Sequence, residues 1–402
     1  MKQIIIPLFF ALLGSALTGC ITAKQKKAML GGSTDAINYK ASVPFDYSYD
    51  VPIMRVKIGG RAYNFLADTG APCVISPELY AELGLKPFGK SKVGDSNNQR
   101  DKQIITVIDS IDVGGIVFRD MGAIVMDWRY SAPLRCLNFD GILGANLMRR
   151  AKWEIDYQEQ IFRFSDTTDS LFSAGQPLIA NFSPKLSGTP TIDLTVDSIE
   201  VSDVTFDTGS TGYLTLPAKK FKDKLRNKKR TRSGHGILSY GAYGAGNKDT
   251  SYYLLSHLIQ VGAVAERGQI AEFENINKRL LGNLFLENYR VILDWETEQI
   301  TFYPVEGERR NRNRSFGFTF SLENNQITLA YILADSAADR QGLQIGDKIT
   351  HVNGQPVSEI TEKGRCELFF DQEAGQGTIE LTILRGEVEK EVILREEVLF
   401  PE

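Results

Sequence analysis

The sequence predicts a mainly β protein made of two similar halves followed by a smaller unit. Three observations lead there. Runs rich in Val, Ile, Thr, Tyr and Phe are broken by 36 glycines against 14 prolines, which favours short strands and tight turns over long helices. A strand-like run ending in Asp-Thr-Gly occurs twice, with matching surroundings. A third pattern near the C-terminus, Ala338 to Ile349, matches neither half. At roughly 150 residues per domain, 402 residues allow two or three domains.

Composition narrows the chemistry. With 42% hydrophobic residues, 24% charged and a net charge of -4, the chain is neither disordered nor polytopic, and nucleic acid is not its expected partner. Three histidines, His235, His257 and His351, leave little material for imidazole bases or multi-histidine metal sites. Four dispersed cysteines form no C-x-x-C pair, so no metal and no cofactor is expected. Cys73 and Cys136 both fall in the first half, where a bridge between them and two free buried thiols are equally open readings.

The N-terminus reads as an address. Ile4 to Leu17 is apolar and shorter than the roughly 20 residues of a membrane-spanning helix, so residues 1–19 read as a signal peptide. The run ends Leu17-Thr18-Gly19-Cys20, which resembles the bacterial lipobox and implies a lipid on Cys20 after cleavage. Ile21 replaces the aspartate of an inner-membrane retention signal, so the expected place is the outer membrane, facing the periplasm. Residues 20–43 show no period of 2 or 3.6 and read as a lipidated tether.

The repeat begins with Asn64-Phe65-Leu66-Ala67-Asp68-Thr69-Gly70-Ala71 and returns as Asp203-Val204-Thr205-Phe206-Asp207-Thr208-Gly209-Ser210. Gly144, in Ile142-Leu143-Gly144, follows Asp68 by 76 positions; Gly282, in Leu280-Leu281-Gly282, follows Asp207 by 75. Asp156 and Asp294 each lie 12 positions past their glycine, at the end of the first strand of a pair. One Asp-Thr-Gly arises by chance in roughly one chain of this length in ten, but two at a repeated spacing do not. The chemistry explains the tripeptide. Glycine lets a second backbone come close, and the threonine hydroxyl can bond across to an opposing turn. Two such turns face to face would crowd two carboxyl groups until they share one proton.

These motifs resemble the aspartic proteases of the pepsin and retropepsin group, fused as a two-lobed single chain of acid-protease β-barrels. The resemblance covers lobe 1 at about 44–165 and lobe 2 at about 180–305. It implies Asp68 and Asp207 as catalytic acids, supported by Thr69, Gly70, Ala71, Thr208, Gly209 and Ser210. Water activated between the acids would attack a peptide carbonyl without a covalent intermediate. Ser210 carries a hydroxyl where Ala71 has a methyl, so Asp207 is expected to hold the charge and Asp68 the proton. The lobe 1 hairpin tip, Val93 to Gln99, lacks the family's tyrosine. The longer lobe 2 stretch from Gly234 to Gly246 offers Tyr240 or Tyr243 as a substrate cover.

After a polar linker, residues 314–398 resemble a PDZ domain of the bacterial protease-associated type. The residues are Phe316-Gly317-Phe318 as carboxylate loop, Ala338 through Gly342-Leu343 and Gly346-Asp347 to Ile349, and Val352-Asn353-Gly354. The resemblance implies that a C-terminal peptide adds as a strand between the Phe318 strand and a helix near Glu362–Phe370, or that the unit packs on and shapes the protease cleft. Three readings follow: an envelope aspartic endopeptidase with a PDZ module, a non-cutting peptide-binding lipoprotein, and an adaptor holding polyanions on the basic run Lys219 to Arg232, with nine cations and one acid.

Overall fold

The computed structural model describes residues 9–10, 22–171, 175–307, 310, 313–323, 326–370 and 377–401. Strands dominate. In the first half, the hairpin Ile53–Ile58/Arg61–Asp68 delivers Asp68 at a strand end. The strand Gly141–Gly144 then lies parallel to it, with Gly144 opposite Asp68. The second half repeats the arrangement: Pro190–Val196 pairs with Ile199–Phe206, and Leu280–Leu281 lies parallel to the latter, with Leu281 opposite Phe206. Alternating apolar side chains bury one face of each strand, as at Met54, Val56 and Ile58.

A six-stranded antiparallel sheet joins the halves, in the order Leu178–Asn181, Gln299–Pro304, Tyr289–Asp294, Lys152–Asp156, Ile161–Ser165, Lys40–Asp46. At its centre Trp153 faces Leu293 across the boundary. Asp156, one of the two regularly spaced acids, is buried there and paired with Arg290 of the other half at 2.5 Å. This sheet fixes how the two Asp-Thr-Gly turns meet.

Between Cys20 and lobe-like structure the expected tether is much shorter than 20–43. Ala23–Leu30 is a helix, started by a capping box between Thr22 and Gln25. Met29 and Ala28 are buried against Ile116–Val125, and Gln25 Nε2 donates to Lys90 O at 3.1 Å. Eight residues with three buried positions are too few to show a period, so the sequence pattern hid an anchor made by tertiary packing. Cys20 itself, and the leader apart from Phe9–Phe10, lie outside the described residues; Phe9–Phe10 pairs in parallel with Ser239–Tyr240. No described helix is long and apolar enough to cross a membrane.

The C-terminal unit is bracketed by Arg314–Ser315 pairing with Glu397–Val398. Its strand Gln326–Leu333 pairs with Phe318–Glu323 on one edge. The other edge pairs with Lys348–Val352 and, at Tyr331 to Leu333, with Thr231–Gly236 of the second half. The sheet therefore runs unbroken from one unit into the other.

Candidate active site

Each Asp-Thr-Gly turn is locked onto the other by its threonine. Thr69 Oγ1 donates to Phe206 O at 2.6 Å and accepts from Thr208 N at 3.1 Å. Thr208 Oγ1 donates to Ala67 O at 2.8 Å and accepts from Thr69 N at 3.0 Å. Both threonines have no exposed surface, so these four bonds are made without competing water. A second pair of residues backs the turns. Asn283 donates to Thr208 O at 2.8 Å and accepts from Tyr157 Oη, also at 2.8 Å; Asn146 accepts from Cys73 N at 2.7 Å. Sequence reasoning passed over these asparagines, although each follows its Leu-Gly element within two positions.

The glycines set the separation of the acids. A methyl on Gly70 would lie 2.6 Å from Asp207 Cγ, and one on Gly209 would lie 2.4 Å from Asp68 Cγ, so each glycine makes room for the opposite carboxyl. Asp68 accepts from Gly70 N at 2.7 Å and Asp207 from Gly209 N at 2.9 Å. Asp68 Oδ2 is buried and meets no N–H or hydroxyl among the described residues, which leaves the Asp207 carboxyl as its partner.

Burial pushes Asp68 from 3.8 up to about 6, opposed by hydrogen bonds from Asp207 and from the Gly70 and Ala71 amides. Burial, then the neighbouring Asp68 charge, holds Asp207 well above the usual carboxylate range. Both acids are thus raised by burial, Asp207 further by the Asp68 charge, the condition under which two crowded carboxyl groups share one proton. That direction runs against the expectation drawn from Ser210: its hydroxyl accepts from Gly212 N at 3.4 Å and sits beside Gly282, while Asp68 has the larger set of amide donors.

Two hairpins meet tip to tip. Ala71 shares a buried apolar cluster with Val93, Leu238, Tyr240 and Ala242. Asp95, at the tip between Gly89–Gly94 and Arg100–Val113, accepts from Asn97 N, Gln99 N and, across the gap, Tyr243 N at 3.2 Å. Tyr243 Oη donates to Val93 O at 2.9 Å, and Ser239 Oγ to Asn97 Oδ1 at 2.9 Å. Tyr243 thus ties one hairpin to the other. Tyr240 is not a substrate cover: its hydroxyl donates to Ser321 Oγ at 3.0 Å and its ring meets Phe369 edge-on, both in the C-terminal unit.

Comparison with known families gives two matches. Residues 54–147 match the aspartyl protease family, and residues 305–384 match the PDZ domain family. The chain carries an aspartyl protease domain and a PDZ domain. The protease match contains Asp68 and Gly144 but ends before Asp207, so the second half enters the site through its geometry. No curated protein matches the chain.

In the PDZ domain Phe316 and Phe318 are buried, and the Gly317 amide donates to Ser315 Oγ at 2.9 Å, so one donor of the carboxylate loop is already used. The helix Glu362–Phe370 forms despite Gly364. Of the two readings open for Cys73 and Cys136, the bridge does not form and the free-thiol reading holds for Cys73 alone. Cys136 is bonded to Cys366 of the PDZ helix, 230 positions away, and Cys73 is a free buried thiol. Cysteines remote in sequence are brought to a Cα separation of 5.5 Å only by docking of the two domains. The basic run begins with the short helical segment Ala218–Leu225, and Lys224 and Arg230 approach Asp197 at 3.9 Å.

Proposed function

We propose that this protein is a two-lobed aspartic endopeptidase of the pepsin and retropepsin type, held in the bacterial cell envelope by lipid on Cys20 and regulated by its PDZ domain. One observation carries the reading: two buried acids from equivalent turns are brought together across a threonine-locked contact, and burial raises both. Asp68 takes a proton from a water lodged between the carboxyl groups, and that water attacks the peptide carbonyl carbon. Asp207 gives its proton to the carbonyl oxygen as the tetrahedral diol forms. On collapse Asp68 gives its proton to the leaving nitrogen, the C–N bond breaks, and Asp207 recovers a proton from a diol hydroxyl, which restores the pair. No covalent intermediate and no cofactor enters.

Peptide is the substrate class that suits the roof. Ser239–Gly241 has a strand edge that Phe9–Phe10 of the leader covers here; cleavage before Cys20 would remove that cover and leave the edge for strand addition by a peptide. The test is hydrolysis of a diverse peptide library across pH by the wild type beside Asp68→Asn and Asp207→Asn. Cleavage by the wild type alone supports the reading. No cleavage by any of the three proteins would leave a peptide-binding protein that does not cut, and cleavage by either variant would remove the acid pair from the mechanism.

A further inference from the structure

The PDZ groove is walled by the strand Phe318–Glu323 and the helix Glu362–Phe370, and a piece of the protease domain lies against both walls. That piece is the short helix Ala132–Cys136. Leu134 is fully buried and shares one apolar cluster with Phe316, Phe318, Phe320 and Phe369. Trp128 and Phe139, stacked at 4.5 Å, flank the helix in the same cluster. The strand Phe318–Leu322 is buried at every position, whereas a groove open to a ligand would leave one side wet. The Cys136–Cys366 bond fastens the plug to the helical wall.

The same PDZ domain also holds the second half. Its strand Gln326–Leu333 pairs with Thr231–Gly236, the strand leading into the Tyr240 hairpin, and Tyr240 is seated on Ser321 and Phe369. Gly234 lies so close to the PDZ sheet that a methyl there would stand 2.0 Å from Tyr331 Oη. The PDZ domain is thus bonded covalently to one half and by strand pairing to the roof hairpin of the other.

We propose that Cys136–Cys366 is a thiol-operated latch that keeps the PDZ groove plugged by Ala132–Cys136 and the Tyr240 hairpin seated. Cys136 is partly exposed as a residue and Cys366 buried, so attack falls on the Cys136 side. A thiolate of a dithiol reductant attacks Cys136 Sγ, the S–S bond breaks, and Cys366 leaves as a thiolate that takes a proton. The reductant's second thiol then displaces Cys136, so two electrons and two protons enter the protein and the reductant becomes a disulfide. Freed of the bond, the plug leaves the groove to an incoming strand and the roof hairpin loses its outer support. The proposal deepens the endopeptidase reading by naming a control on it, but its test does not read hydrolysis.

The test is hydrogen exchange of the full chain, oxidised and after dithiothreitol, with the Cys136→Ser/Cys366→Ser double variant alongside. Reduction is expected to speed exchange by about tenfold or more at 132–136, 318–323 and 239–241. Exchange at 291–293, in the six-stranded sheet, stays unchanged. The double variant reproduces this without reductant; should it fail to fold, the reduced wild type decides alone. Unchanged exchange at all these segments overturns the proposal, as does uniform acceleration that includes 291–293, which would make the bond a global staple. Loss of hydrolysis would sink the endopeptidase reading while leaving these exchange rates to stand or fall separately.

Discussion

Replacing Asp68 by asparagine should stabilise the protein at neutral pH while removing hydrolysis. Burial raises Asp68 from 3.8 to about 6, so between those values the folded state binds a proton that the unfolded chain releases. A raised folded-state value means that the stability associated with this group is full below about pH 4 and is lost as pH rises through about 6. At roughly 1.4 kcal/mol per unit, a shift of about two units costs the wild type about 3 kcal/mol at pH 7 to 8. Asparagine carries no such charge, and its removal also relieves Asp207 of a like neighbour. The variant should therefore melt roughly 3–4 °C above wild type at pH 8 and close to it at pH 4. Differential scanning calorimetry at the two pH values measures this. Equal melting temperatures at pH 8, or a variant less stable there, would mean that the two carboxyl groups are not crowded together out of water.

The same titrations govern rate. The kcat/KM for peptide hydrolysis should rise as pH increases through about 6, where the pair loses its first proton, and fall only well above that, when Asp207 ionises; a profile declining from pH 4 would contradict it. Ser210→Ala should leave that profile in place, because the hydroxyl faces Gly212 and Gly282; a shift of the rising limb by a unit or more would restore its contact with Asp207. Thr208→Val should cost about 2–3 kcal/mol in denaturant unfolding, since it strands Ala67 O and Thr69 N in a dry site, and Thr208→Ser should recover most of it.

What the sequence made legible was what repeats. The strand ending at Asp68, its counterpart ending at Asp207 and the two distant glycines could be superposed by counting, because each half buries the same parts in the same order. The contacts between units left no such trace. Cys136 and Cys366 carry no spacing signal, and Tyr240 looks like any tyrosine beside a glycine-rich tip. The alternation Gly234-His235-Gly236 was the available clue, since glycine on one face of a strand marks close approach by another backbone, here that of Ala330 and Tyr331. The surroundings of the dyad were hidden for a related reason. Composition shows which residue owns a hydroxyl, whereas the direction of that hydroxyl depends on Gly282, 72 positions downstream of Ser210.

The helix at Ala23–Leu30 changes what the proposed lipid anchor would do. Had residues 20–43 been a free tether, they would have let the protease roam tens of ångströms from the membrane. Instead the chain is capped at Thr22, and Met29 is 1% exposed in the protease body, so only Ile21 separates Cys20 from folded structure. Two residues reach at most about 7 Å. A lipid on Cys20 would then hold this face against the bilayer, with Lys24, Lys26 and Lys27 beside it. Substrates would have to present their cleavable segment close to the surface, and the enzyme would select by position before it selects by side chain. Exchanging 22–31 for a flexible linker would remove the buried Met29 and the Gln25 bond to Lys90 together, so reach could be lengthened only by also loosening the Gly89–Gly94 strand that carries the roof hairpin.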